Sequence, residues 1–318
     1  MAPVAVAGPA YRHPRLRALG SGAARRLVGA VLTGALVAGL LVGPVLCWSS
    51  SAQAIARSDV VDVVPRVLRE DVAAALPVRV VDVPAVQGGV AAVAAAATAS
   101  VGAVVLDPQG RSLLETSDAD RPVSSASLVK LLVVQQLLAR AGPAGWDAAT
   151  ARRLERAITV SDDGAMNVLW TTYDGPALVR AAVAQFGLTA TAPPAEAGQW
   201  GQATTSASDV ARFLSALAAT PGATDAATLL TWMRQAAPTG ADGFDQTFGL
   251  LSGAGGAGVA AKQGWMCCVD GRRQLHSAGV LDDGRVVVVL AEASAARPWD
   301  VVGDVVDRAT TVLVEGTR

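Results

Sequence analysis

Ser124–Leu138, which reads SSASLVKLLVVQQLL, runs from a short polar segment into an apolar helix and holds a serine and a lysine three residues apart. Residues i and i+3 share one face of a helix, so Ser127 and Lys130 can touch. A serine hydroxyl becomes a nucleophile when a neighbour takes its proton. A lysine can do so if burial and nearby positive charge depress its pKa, and the helix N-terminus adds partial positive charge at that point. Of the 26 lysines and arginines in the chain, only Lys130 and Lys262 are lysines. Arginine neither acts as a base nor replaces a compact ammonium. A chain that otherwise relies on arginine is therefore read as needing both, in preference to two incidental surface residues.

The 318 residues are 52% apolar and 17% charged, with a formal net charge of -1. That describes a globular chain with ample core and gives no basis for nucleic-acid binding. The start is a targeting segment, residues 1–54, a signal peptide or signal anchor. Arg12, Arg15, Arg17, Arg25 and Arg26 form a basic flank, Leu27 to Trp48 carries no charge, and Ser51-Ala-Gln-Ala54 has the small-residue spacing of a cleavage site. Export with cleavage after Ala54 is favoured over retention of residues 27–48 as a membrane anchor. Residues 55–86 read as a linker. Cys267 and Cys268 are adjacent, which disfavours a bond between them; they read as two thiols facing opposite ways on a strand. With His13 in the targeting flank and His276 alone downstream, no metal site is expected, and no cofactor.

Along the rest of the chain, Gln87–Ser100 reads as a helix, and Val101–Asp107 and Ser112–Glu115 as paired strands about a turn. The Ser127 helix follows and ends at Gly142-Pro143. Helices are expected over 146–158, then one opened by Thr159-Val-Ser161-Asp-Asp163 that contains Asn167 and Trp170, and over 175–186, 206–219 and 226–236, with irregular stretches at 189–201 and 240–258. Val259–Val269 reads as a strand. Gln274–Leu281 and Arg285–Ala291 form a hairpin across Asp282-Asp-Gly284, and Pro298–Val314 is a closing helix. The expected fold is α+β: an antiparallel sheet built from both chain ends (87–126 and 259–318) with flanking helices, and an all-α lobe (127–258) inserted between them. A site would fall at the seam.

Three pieces line up in order: Ser127-Leu-Val-Lys130, Ser161-Asp-Asp163 followed by Asn167, and Lys262-Gln263-Gly264. Here the chain resembles the penicillin-recognising serine hydrolases, class A β-lactamases most closely, whose signatures are S-x-x-K, S-D-N and K-T-G. Thr159–Asn167 and Val280–Val289 resemble the family as well. The resemblance, which covers residues 101 to the C-terminus, implies that Ser127 attacks a carbonyl carbon, Lys130 accepts its proton, and Ser161 relays a proton to the leaving nitrogen beside Lys262. It implies that the N–H groups of Ser127 and Trp265 hold the oxyanion. It also places Asp163, Asn167, Gln263, Gly264, Trp265 and Glu196 around the substrate. β-Lactams or peptidoglycan peptides are the expected partners of a monomer.

The departures matter. Asp163 stands where the family has asparagine, and an ionised carboxylate cannot donate to a substrate amide. Gln263 replaces a threonine or serine, and Trp265 is bulky. The family's deacylating glutamate has a single candidate, Glu196, which lies close to Thr204-Thr205, and Trp200 takes the place of the family's asparagine. Weak deacylation is the expectation. Two other readings compete. One is a catalytically reduced cell-wall binding protein on the same fold. The other is a Ser-His-Asp esterase using His276, although no G-x-S-x-G elbow is present. Taken alone, Ser161-Asp-Asp163 also suits a helix cap, and Arg272 and Arg273 suit a strand surface.

Overall fold

A computed structural model describes residues 80–141 and 145–318. The targeting segment, its apolar run 27–48 and most of the linker lie outside the described residues, as does the Gly142-Pro143 helix end. Helix α1 spans Val83–Ala96 and begins four residues before the expected start. The Asp82 carboxylate caps it by accepting the Ala85 N–H at 3.1 Å, and Pro84 sits in its first turn. Residues 83–86, read as linker, are therefore helical.

Strands β1 (Ser100–Leu106) and β2 (Ser112–Glu115) follow, then the two-residue β3 (Val123–Ser124). A 3₁₀ turn over Ala126–Leu128 leads into α2 (Val129–Arg140). The helical block continues with α3 (Ala148–Thr159), α4 (Asp163–Thr172) and α5 (Gly175–Phe186), which Gly187 closes in the left-handed region at φ 62°. After β4 (Thr204–Thr205) come α6 (Ala207–Ala218) and α7 (Thr224–Arg234). The chain ends with β5 (Ala260–Val269), β6 (Arg272–Val280), β7 (Val286–Ser294) and α8 (Trp299–Gly316). Each expected element is present to within a few residues. The β3–β4 ladder is additional; two residues per strand are too few for any periodicity to reveal.

The main sheet is antiparallel in the order β2-β1-β7-β6-β5, so strands from the two chain ends pair and, among the described residues, β5 lies at the edge. Alternate residues of each strand point to opposite faces. Val101, Ala103 and Val105 of β1, with Val287, Val289 and Ala291 of β7, pack against α1 and α8. Val104 and Leu106, with Val286, Val288 and Leu290, face the helical block around α2 and α6. Both faces are covered, which is why β1 and β7 read as unbroken apolar runs. Among the described residues no helix is long and apolar enough to cross a membrane.

One buried carboxylate ties the helical block to the segment that later reaches the cleft. Asp209, 1% exposed in the first turn of α6, accepts the N–H groups of Thr189 (3.0 Å) and Ala190 (2.8 Å) and the Thr191 hydroxyl (2.7 Å). Replacing it with alanine leaves the two backbone N–H groups without their acceptor and the Thr191 hydroxyl with Thr205 Oγ1 alone. Asp209→Ala is expected to lower unfolding free energy by about 2–4 kcal/mol, read by urea denaturation; a loss under about 0.5 kcal/mol would show that the knot is dispensable.

Candidate active site

The three sequence pieces meet between the sheet edge and the helical block. Ser127 lies in the 3₁₀ turn before α2, 4% exposed, and Lys130 lies one turn on and fully buried. The Lys130 Nζ stands 3.0 Å from Ser127 Oγ, 2.7 Å from the Ser161 carbonyl, 3.1 Å from Ser161 Oγ and 2.6 Å from Asp163 Oδ1. An ammonium has three hydrogens for these four oxygens. In the neutral amine the lone pair can face Ser127 and accept its proton. Lys262, also buried, donates to Ser161 Oγ at 2.8 Å and to the Gln263 carbonyl at 2.7 Å. The Ser161 hydroxyl thus sits between the chain's two lysines.

Burial pushes the Lys130 pKa below its usual value, against the opposing pull of Asp163. Lys262 is driven further down, by burial and then by repulsion from Lys130. Both serines are held by unusual backbone. Ala126, immediately before Ser127, has φ 48°, and Ser161 has φ 52°. Left-handed conformations cost a residue with a Cβ about 1–3 kcal/mol, and such strain concentrates at functional sites. Asp162 caps α4 by accepting the Ala165 N–H at 2.9 Å, so the cap reading of this stretch holds for Asp162 while Ser161 turns inward.

Gly264 brings β5 against the serine. A Cβ there would stand 3.3 Å from the Ser127 nitrogen and 3.3 Å from the Ser125 carbonyl oxygen, so a bare backbone is what lets the strand lie this close. Trp265 stacks on Phe244 with centroids 4.8 Å apart and donates its indole N–H to Asp242 at 2.9 Å. Across the cavity, Trp200 donates to the Asn167 side-chain oxygen at 2.8 Å, and the Lys130 Nζ is 4.8 Å from its ring centroid. Ser127, Asp163, Asn167, Trp200, Trp265 and Met266 thereby line one cavity of about 270 Å³.

Two expected substrate contacts are not there. Gln263 turns its buried side chain to the other face of β5 and donates to the Gln246 and Phe248 carbonyls, because strand alternation separates it from Lys262. Glu196 is exposed and outside the cavity; the loop between α5 and β4 brings Trp200 over the lysine in its place. Cys267 and Cys268 are joined by a disulfide and exposed, contrary to the expectation of two thiols on opposite faces. The alternation argument fails there because the β5–β6 register shifts between Cys267 and Val269.

Arg272 and Arg273 lie on surface networks, with Glu292 and with Trp299 respectively. His276, fully buried, has its Nε2 2.9 Å from the Ser124 carbonyl, which can only accept, so that nitrogen carries the proton. Burial lowers its pKa, against the pull of that hydrogen bond. The ring pins the strand entering the Ser127 turn, and its hydrogen bond goes to backbone, not to a serine hydroxyl as an esterase triad requires. Sequence reasoning did not assign His276 this anchoring role, and it missed Asp242 altogether; Asp242 lies in an irregular glycine-rich stretch with no motif around it.

Comparisons with known proteins agree with this geometry. A family model described as the beta-lactamase enzyme family, Beta-lactamase2, matches residues 149–309, half of the chain. It includes Ser161 and Lys262, while Ser127 precedes it. "Putative lipoprotein LppW" of Mycobacterium tuberculosis and of Mycobacterium bovis is 33% identical over 205 residues, which is 63% of this chain and 65% of the relative. The chain thus spans somewhat under two thirds of those curated relatives. Among solved structures, a beta-lactamase from Chitinophaga pinensis superposes with a TM-score of 0.58 at 15% identity, covering 74% of this chain and 100% of that one. TLA-3 extended-spectrum beta-lactamase gives 0.59 at 13%, covering 73% and 98%. At these identities the superpositions speak for the fold, and the family match decides membership: the chain belongs to the beta-lactamase enzyme family.

Proposed function

We propose that this chain is an exported serine hydrolase that forms an acyl-enzyme with β-lactams or peptidoglycan-type peptides and releases it slowly. The observation that carries the reading is the Ser127 hydroxyl 3.0 Å from a buried lysine whose pKa is depressed, with Ser161 bridging to a second buried lysine. Neutral Lys130 takes the Ser127 proton as Oγ bonds to the carbonyl carbon. The N–H groups of Ser127 and Trp265 receive the oxyanion. When the tetrahedral adduct collapses, the C–N bond breaks and the leaving nitrogen takes a proton from Ser161, which is reprotonated from Lys130. Hydrolysis of the ester then needs an activated water, and no glutamate among the described residues lines the cavity to activate it.

Export rests on the basic flank and apolar run at the start of the chain, and the lipoprotein name of the mycobacterial relatives supports an envelope location. The domain would run over residues 87–318, with 127–258 as the helical lobe.

A second reading, a ligand-binding protein with reduced catalysis, is favoured by the 2.6 Å pair between Lys130 and Asp163, which pulls the base towards its charged form against the effect of burial. Labelling with a fluorescent penicillin separates the two. A covalent adduct on Ser127 that vanishes in Ser127→Ala supports the hydrolase; absence of any adduct supports the binder.

A further inference from the structure

We infer that Asp242 is a positioning residue for acylation, tying the strand segment that offers an oxyanion donor to the loop that holds Ser161; this rests on the serine hydrolase reading for its effect on rate, and on the fold alone for the tie. Asp242 lies between α7 and β5 and does not itself line the cavity. Its Oδ1 accepts the Phe244 N–H at 3.0 Å, which closes a turn, and its Oδ2 accepts the Trp265 indole N–H at 2.9 Å. It would therefore act through its neighbours.

On one side of the carboxylate stands β5. The Trp265 ring stacks on Phe244 and rests on Gly240, where a Cβ would come within 2.9 Å of the indole. The anchored indole holds the backbone of residues 264 and 265. There Gly264 lies against the Ser127 nitrogen, and the Trp265 N–H is the second oxyanion donor of the proposed reaction.

On the other side stands the Ser161 turn. Ser161 has φ 52°, and a residue with a Cβ keeps such a conformation only where its surroundings over-determine it. The two carbonyls before it are bonded by the loop of Asp242: Thr159 accepts the Ala237 N–H at 2.8 Å, and Val160 accepts the Ala241 N–H at 2.7 Å. A path from oxyanion donor to proton relay thus runs through Trp265, Asp242, Ala241, Val160 and Ser161. Both groups must be placed closely to serve one transition state. The charge of Asp242 acts too, opposing the effect of burial on both lysines. The other charged groups about Lys130 are Asp162 and Asp163 at the start of α4 and Lys262 on β5.

Asp242→Ala, Trp265→Phe and the double variant test this, since phenylalanine keeps an aromatic ring without the indole N–H. Acylation of the full chain by benzylpenicillin is followed by intact mass, at a pH where the rate has levelled off. It should fall about tenfold in each single variant and no further in the double variant, because all three lose the same hydrogen bond. In a Ser127→Ala background, Asp242→Ala should change benzylpenicillin binding by less than about twofold, the mark of an interaction used in the transition state. The rise of acylation with pH should move lower in Asp242→Ala, which loses the charge, and stay in place in Trp265→Phe. Hydrogen exchange reads the tie without substrate: amides of residues 159–165 and 263–267 should exchange about tenfold faster in Asp242→Ala. An unchanged acylation rate, losses that multiply in the double variant, or loss of binding along with rate would overturn the inference and leave the hydrolase standing. Faster exchange with no adduct on the wild-type chain would sustain the tie and overturn the hydrolase. Unchanged exchange with no adduct would overturn both.

Discussion

A burst of product equal to one equivalent per chain, followed by a slow steady state, is the expected result when the protein meets the chromogenic cephalosporin nitrocefin. On the proposed reading, acylation would use the Ser127 hydroxyl, a buried amine 3.0 Å away, and a hydroxyl between two lysines. Deacylation has no such provision. Glu196 is exposed and does not line the cavity, and Trp200 covers the Lys130 side, locked to Asn167 at 2.8 Å. Among the described residues that line the cavity, Asp163 is the carboxylate, and it is paired with Lys130. A positioned general base contributes about 10²–10⁴-fold, so hydrolysis of the ester should trail its formation by a factor of that order. The acyl-enzyme should persist long enough to be seen by intact mass. Rapid steady-state turnover that disappears in Ser127→Ala would refute this and point to a base other than Glu196.

The second large effect is expected at Lys130. Lys130→Gln removes the proton acceptor while keeping a group that can still bond Asp163 and Ser161. Acylation by penicillin should fall by about 10²–10⁴-fold, with the fold retained by circular dichroism. Lys130→Arg should not rescue it, because a guanidinium holds its proton throughout the accessible range. In the wild-type chain the acylation rate should rise with pH as Lys130 loses its proton. Burial depresses that pKa, so the rise should come below the ordinary lysine range. Asp163 stabilises the protonated form, so Asp163→Asn should move the rise to lower pH still. A profile that ignores pH, or that Asp163→Asn shifts upward, would remove Lys130 from the role of base.

Read in order, the residues alone determined a good deal. Ser127, Lys130, Ser161 and Lys262 could be singled out because two lysines stand out in an arginine-rich chain and because S-x-x-K spacing follows helix geometry. The sheet shared by both chain ends followed from two groups of apolar runs separated by a helical block, with Asp282-Asp-Gly284 marking the last hairpin. Those signals are local, and local geometry can be read along a chain.

What the tertiary structure decided is which atoms face the cavity. Gln263 stands at a motif position and Glu196 is the one candidate for the family's glutamate, but strand alternation turns the first away and the long loop between α5 and β4 leaves the second in solvent. Asp242 and His276 belong to no motif, yet packing brings Asp242 to Trp265 and sets His276 beneath the strand that enters the Ser127 turn. The direction of a side chain at a seam depends on contacts between residues a hundred or more positions apart, as Lys262 and Ser161 are, and linear spacing does not encode it.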